Sequence, residues 1–248
     1  MADENYLLLV CFLMYISMQL LETVSFSSKI AGKLSKRLSL GVTVQHTIYQ
    51  SSRIPLPFLL IGLSFVVETG IEISFFLQFA SLSLFGVFVV TLYTLRNVNN
   101  YQIFFQKVFD NVQKNTLPKA IFKTFFEKKD YNDTIQFEED FSIKNLNFKK
   151  TIAACFAYIF LSTGFFISFS LAIVFNDYRM TVSQLTTAMH GIGALFLAYY
   201  IDPMFSKSLD LDTNSQVWIT NFYSIFIGRL LAYLISSVFF FIFYINLL

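Results

Sequence analysis

Apolar residues in this chain run in long unbroken stretches rather than in the mixed spacing of a soluble domain. About 20 residues of helix are needed to cross roughly 30 Å of hydrocarbon. Six stretches reach that length, at about residues 6–28, 38–66, 73–95, 151–175, 181–201 and 217–245. The pattern predicts an all-α integral membrane protein of about six transmembrane helices, a single polytopic domain over residues 1–248. The second stretch is overlong and holds Pro55 and Pro57. A proline removes a helix hydrogen bond and its ring crowds the preceding turn, so a kinked or broken helix is expected there. A tilted span and a helix that leaves the membrane early both satisfy that pattern. The fifth stretch ends in Ile201-Asp202-Pro203, where the proline favours a stop or a bend.

One long polar segment, residues 97–147, separates the third and fourth stretches. Within it Tyr101, Phe104, Phe105, Val108, Phe109 and Val112 form one apolar stripe of a helix. After Pro118 a shorter stripe of Ile121, Phe122, Phe125 and Phe126 stands among lysines. Amphipathic helices of this composition lie on a membrane surface and favour anionic headgroups, or else pack on the ends of the spans. The acidic run Glu138-Glu139-Asp140 reads as solvated surface.

Composition agrees with the pattern. Of 248 residues, 55% are hydrophobic and 14% charged, and 32 are Phe, against roughly 25% charged in soluble domains. The net charge of +2 gives no reason to expect a nucleic-acid partner. Cys11 and Cys155 sit inside apolar runs, which argues against a disulfide framework or a zinc site. The opening Met-Ala-Asp-Glu-Asn lacks a basic n-region, so the first stretch is expected to be retained as a span.

Basic residues decide the orientation. The 1–2 connection and its flank carry Lys29, Lys33, Lys36 and Arg37; the 3–4 connection carries ten, from Arg96 to Lys150; the 5–6 connection adds Lys207. These fifteen face one side, against Arg179 alone in the 4–5 connection. The excess marks the cytoplasmic side and places both termini outside, with 97–147 as a cytoplasmic or interfacial insertion. Six helices in two halves of opposite orientation permit a 3+3 inverted repeat, although no internal sequence similarity accompanies it.

The most informative residues are the ones a bilayer penalises. A charged side chain near a span centre costs about 2.5–3.5 kcal/mol, so it normally faces protein or a wet cavity. Glu22, Arg53, Asp202 and Arg229 occupy such positions, with His46 and His190 as weaker candidates. Arg53 follows Tyr49, Gln50, Ser51 and Ser52, a polar helical turn suited to a hydrophilic cavity. Arg229 follows Gly228, which permits close helix approach, and Ser224 lies one turn earlier. Guanidinium groups bind phosphate with two parallel hydrogen bonds and keep their charge. The expected substrate-contacting set is therefore Arg53, Arg229, Glu22, Ser52, Asp202 and His190, with Glu22 as counter-charge and both arginines in one cavity. The competing reading makes Glu22 and Asp202 partners in structural ion pairs and Asp202 a local cap. Gly191 and Gly193 read as packing positions. No HExxH, GxxxxGK[ST], CxxC, GxSxG or aspartate-rich diphosphate-metal motif occurs. Neither catalysis nor a cofactor or metal is expected.

Leu21-Glu22-Thr23 through Ser28-Lys29-Ile30-Ala31-Gly32, then Ser52-Arg53, resembles the Amj family of lipid II flippases. So does a second block, Gln184-Leu185 through Gly191-Ile192-Gly193 to Ile201-Asp202-Pro203, with Gly228-Arg229. His190-Gly191 stands where Asn-Gly is usual in the family, and the Phe-rich third and fourth spans match little. The resemblance implies a bacterial cell-membrane transporter that moves undecaprenyl-diphosphate-linked peptidoglycan precursor from the inner to the outer leaflet. A flippase for another polyprenyl-linked glycan, a membrane enzyme acting on polyprenyl phosphates and a non-catalytic scaffold are the alternatives.

Overall fold

The computed structural model describes residues 2–127, 146–211 and 215–247. The protein is an all-α membrane protein: every regular element among the described residues is a helix, and five helical stretches are long and apolar enough to cross a bilayer. In chain order the helices are α1 (Ala2–Leu34), α2 (Leu38–Ser51), α3 (Leu56–Glu68), α4 (Ile73–Arg96), α5 (Val98–Val112) and α6 (Leu117–Phe126). They continue with α7 (Phe148–Val174), α8 (Arg179–Ser183), α9 (Leu185–Phe196), α10 (Asp202–Leu211) and α11 (Ser215–Asn246).

Six spans were expected and five candidates are found. The second is α2 and α3 together, broken where the prolines fall. The fifth expected stretch is divided into α8 and α9, and a π-helical turn over Leu197–Ile201 joins α9 to α10. Pro203 did not stop the chain. Its ring would strike the carbonyl four residues back, at Tyr199, and the widened turn that contains Tyr199 relieves the clash so that α10 continues. The acidic run Glu138-Glu139-Asp140 lies outside the described residues.

The chain packs as two compact units. The larger comprises residues 1–16, 55–90 and 141–248: the first half of α1, α3, most of α4 and α7 to α11. Its interior is aromatic and aliphatic, with Phe76, Phe165, Phe166, Phe222, Phe226 and Phe240 buried. Small residues bring its helices close. A Cβ at Gly228 of α11 would lie 2.4 Å from the Thr151 carbonyl oxygen of α7, so only glycine fits. Ser81 of α4 and Ser237 of α11 each donate a hydroxyl hydrogen bond to the other's backbone carbonyl at 3.0 Å. The Tyr15 hydroxyl donates to the Ser162 carbonyl at 3.0 Å while its ring meets Phe165 and Phe166 edge-on.

The smaller unit comprises residues 17–54 and 91–140, of which the described part is the second half of α1, α2, the end of α4, α5 and α6. Lys36 takes a left-handed φ of 56° and turns the chain between α1 and α2. The two helices then cross so tightly that a Cβ on Gly41 would lie 2.6 Å from the Ser28 carbonyl oxygen. Ala31, Val44, Phe105 and Phe109 form the apolar core, flanked by Val24, Leu40 and Ile48. Around that core, beside apolar residues such as Phe26, Ile30 and Val108, many buried side chains are polar: Gln19, Glu22, Ser27, Ser28, Lys29, Gln45, Gln102 and Gln106.

Candidate functional site: the broken second span and its polar unit

The break in the second span follows from local chemistry. Pro55 disfavours helical geometry at Ile54, and α2 closes with short-range bonds from Arg53 N–H to the Gln50 carbonyl at 3.2 Å and from Ile54 N–H to the Ser51 carbonyl at 3.1 Å. Helix resumes with Leu59 N–H bonded to the Pro55 carbonyl at 2.9 Å. A proline in the first turn costs nothing there, because its missing N–H would have had no partner.

Arg53 occupies this break. Its guanidinium lies over the Tyr49 ring at 4.7 Å and donates to the Tyr49 hydroxyl. Its Nε is buried with no hydrogen-bond partner, and it forms no ion pair with any described residue. The side chain is only half-buried, so the charge has a route outward. Ser52 beside it is fully buried and donates its hydroxyl to the Tyr49 carbonyl at 2.8 Å, a bond that caps the turn.

The two halves of the span present different surfaces. α2 exposes Ser39, Thr43, His46, Gln50 and Ser51. α3 exposes Phe58, Ile61 and Phe65, each more than half accessible. A lipid tail solvates the second face and not the first.

The 33 residues of α1 extend about 50 Å, well beyond the hydrocarbon thickness, and its polar residues gather in the C-terminal half. Glu22 is 6% and Lys29 1% exposed. The two lie seven residues apart on one helix face with Phe26 between, and the Lys29 ammonium stands 5.9 Å from the Phe26 ring. Moving such charges out of water costs several kcal/mol each unless polar partners compensate. Hydroxyls nearby turn back onto the helix, Thr23 to the Gln19 carbonyl at 2.6 Å and Ser25 to the Glu22 carbonyl at 2.7 Å.

The remaining expected site residues lie in the larger unit. Arg229 is 2% exposed and enclosed by aromatic rings, 4.5 Å from Tyr158 and 5.6 Å from Tyr233, with Nε donating to the Tyr233 hydroxyl at 2.7 Å. This is a packed cation–π enclosure. Asp202 is half-buried at the start of α10, in the first turn after the π-helical stretch. The His190 ring packs on Phe165 with centroids 4.3 Å apart. Gly193 is pressed against α7, where a Cβ would lie 2.6 Å from Leu161, whereas Gly191 faces open space and is not a packing position. An apolar groove of 520 Å³ between α1 and α4, lined by Leu8, Phe12, Phe75, Phe79 and Phe85, also belongs to this unit.

Lys29, Gln45, Gln102 and Gln106 were missed as interior residues. Of the stripe expected for α5, Phe105, Val108 and Phe109 are buried, and the buried face extends sideways to Val98, Gln102, Ile103 and Gln106. Both amide atoms of Gln102, and the Gln45 oxygen, lack hydrogen-bond partners. Among the described residues no cluster of His, Cys, Asp and Glu could hold a metal ion. Comparison with protein-family models, curated proteins and solved structures found no match to the chain.

Proposed function

We propose that this protein is a membrane transporter for a lipid with an anionic diphosphate headgroup, in the first instance undecaprenyl-diphosphate-linked peptidoglycan precursor (lipid II) of the bacterial cell membrane. The observation that carries the reading is Arg53. It is a permanent cation with no ion pair to any described residue, held half open at the break of an apolar span. A diphosphate satisfies a guanidinium with paired, charge-assisted hydrogen bonds, and the polar outer face of α2 supplies a hydrated surface for attached sugars. Broken spans whose irregular backbone faces water or ligand are a recurring means of building transport sites.

In this reading the basic side of the chain is cytoplasmic, the N-terminus lies outside, and Arg53 receives the headgroup from the inner leaflet. Glu22 and Ser52 share its unit: Ser52 shapes the turn, and Glu22 sets the charge of the interior. Arg229 is assigned to packing rather than to substrate. The assay below addresses the enzymatic alternative directly.

The test is transport by purified protein in liposomes, with lipid II and, separately, a teichoic-acid-type lipid precursor. The expected result is translocation of chemically unchanged lipid II, nearly abolished by Arg53→Ala and impaired by Arg53→Lys at equal protein yield. Full transport by Arg53→Ala overturns the role of Arg53. Transport of the second lipid alone moves the substrate to another glycan. Chemical conversion of either lipid replaces the transporter reading with an enzyme.

A further inference from the structure

The two amphipathic helices of the 97–147 segment resolve differently. α5 buries Phe105, Val108 and Phe109, whereas α6 buries only Ala120 and Thr124 and leaves Phe122, Phe125 and Phe126 about 70% exposed, at 69%, 74% and 70%. That outward face is fixed and not a matter of chance orientation. Asn111 of α5 donates to the Thr124 hydroxyl at 3.0 Å and to a Glu127 carboxylate oxygen at 3.1 Å, clamping the opposite side of α6. Lys123 reaches the same Glu127 at 3.5 Å.

At 100° per residue, Phe122 stands opposite the Ala120–Thr124 seam, Phe125 and Phe126 lie to either side of it, and Lys119 and Lys123 line one flank. The rings form a continuous apolar ridge, with centroids 4.9 Å apart for Phe122–Phe126 and 5.5 Å for Phe125–Phe126. Three adjacent phenylalanines in water are costly. A helix ten residues long with this ridge and a cationic flank matches an interfacial anchor in length and chemistry. In the sequence the α5–α6 pair is flanked by two candidate membrane-crossing helices, α4 before it and α7 after it.

We infer that α6 docks on an anionic bilayer surface, with Phe122, Phe125 and Phe126 inserted at the acyl boundary and Lys119 and Lys123 on lipid phosphates. The committed occupant is lipid rather than a protein. The inference is independent of Arg53 and of what the protein transports.

Depth measurement on the full chain tests it. A nitroxide is placed at Phe122→Cys in a Cys11→Ala/Cys155→Ala background with unchanged melting temperature, and the protein is reconstituted in nanodiscs of phosphatidylcholine with or without phosphatidylglycerol. With phosphatidylglycerol the label should collide with oxygen in preference to a water-soluble nickel chelate. Each lysine near an anionic surface is worth about fivefold in the docking equilibrium. Lys119→Gln/Lys123→Gln, or omission of phosphatidylglycerol, should therefore shift the label measurably toward water. A label equally water-exposed in both discs overturns the inference. So does a label immobilised and shielded from both reagents in detergent as well as in lipid, which would show the ridge covered by protein.

Discussion

The two units solve burial in opposite ways. The larger is packed as a membrane interior: aromatic rings, glycine and serine at helix crossings, and a single guanidinium sealed between tyrosines. The smaller has an apolar core of four residues, with glutamines, serines, a glutamate and a lysine buried around it beside Phe26, Ile30 and Val108. In the first unit the guanidinium and the paired serines hold helices together. In the second, Gln102 and Arg53 bury polar atoms that lack hydrogen-bond partners. Uncompensated buried polarity lowers stability, so these two residues are where binding in the smaller unit is to be sought.

Substitutions at five positions break or sharpen this contrast. The largest effect is expected in the larger unit from Arg229→Ala, which removes the cation from its aromatic enclosure and leaves a buried cavity beside Tyr158 and Tyr233. A loss of about 3–5 kcal/mol is expected, seen as failure to accumulate or a large fall in melting temperature in detergent. Arg229→Lys should rescue it only in part, because ammonium neither stacks nor keeps the same hydrogen bond. Good stability of the alanine variant would mean the enclosure is not structural.

Next comes overpacking at the two closest helix crossings. Gly228→Ala in the larger unit and Gly41→Ala in the smaller should each cost about 1–3 kcal/mol, because the new methyl would sit 2.4 Å and 2.6 Å from backbone oxygens. Thermal scanning of both variants compares the rigidity of the units directly. An unchanged melting temperature for Gly41→Ala would show that the α1–α2 crossing yields.

Gln102→Leu should act in the opposite direction. It removes two amide atoms without partners from a site 1% exposed, and a gain of about 1–2 kcal/mol is expected. If the same variant loses transport while gaining stability, the amide is retained for binding; if it loses stability, the polar interior is structural after all. The smallest effect belongs to Arg37→Ala. The Arg37–Asp110 pair is short, at 2.6 Å, but its partners are 37% and 70% exposed. Solvent screening limits it to under about 1 kcal/mol, and added salt should erase the difference from the parent protein.

Much of the architecture was legible because its causes are local. Hydropathy marked the apolar helices, and Pro55 and Pro57 marked the broken span, since proline carries its effect wherever it stands. At Pro203, where a stop or a bend was expected, the helix widens into a π turn and goes on, a response that depends on room around Tyr199. The full width of the buried face of α5 was not legible: a stripe of phenylalanines shows that a helix has an apolar face, but the partners decide that Gln102 and Gln106 turn inward too. Lys29 counted as a loop charge because it neighbours Lys33 and Lys36, and only the crossing at Gly41 encloses it. For Arg229, Tyr233 one turn later was a visible signal, while Tyr158 lies 71 positions away in the sequence.

The paired serines of α4 and α11 also constrain how the chain is made. Ser81 and Ser237 are 156 residues apart, and α11 is synthesised long after α4. During translation α4 must therefore wait without this clasp, which can close only once α11 has left the ribosome. A chain interrupted before Ser237 leaves α4 unclasped.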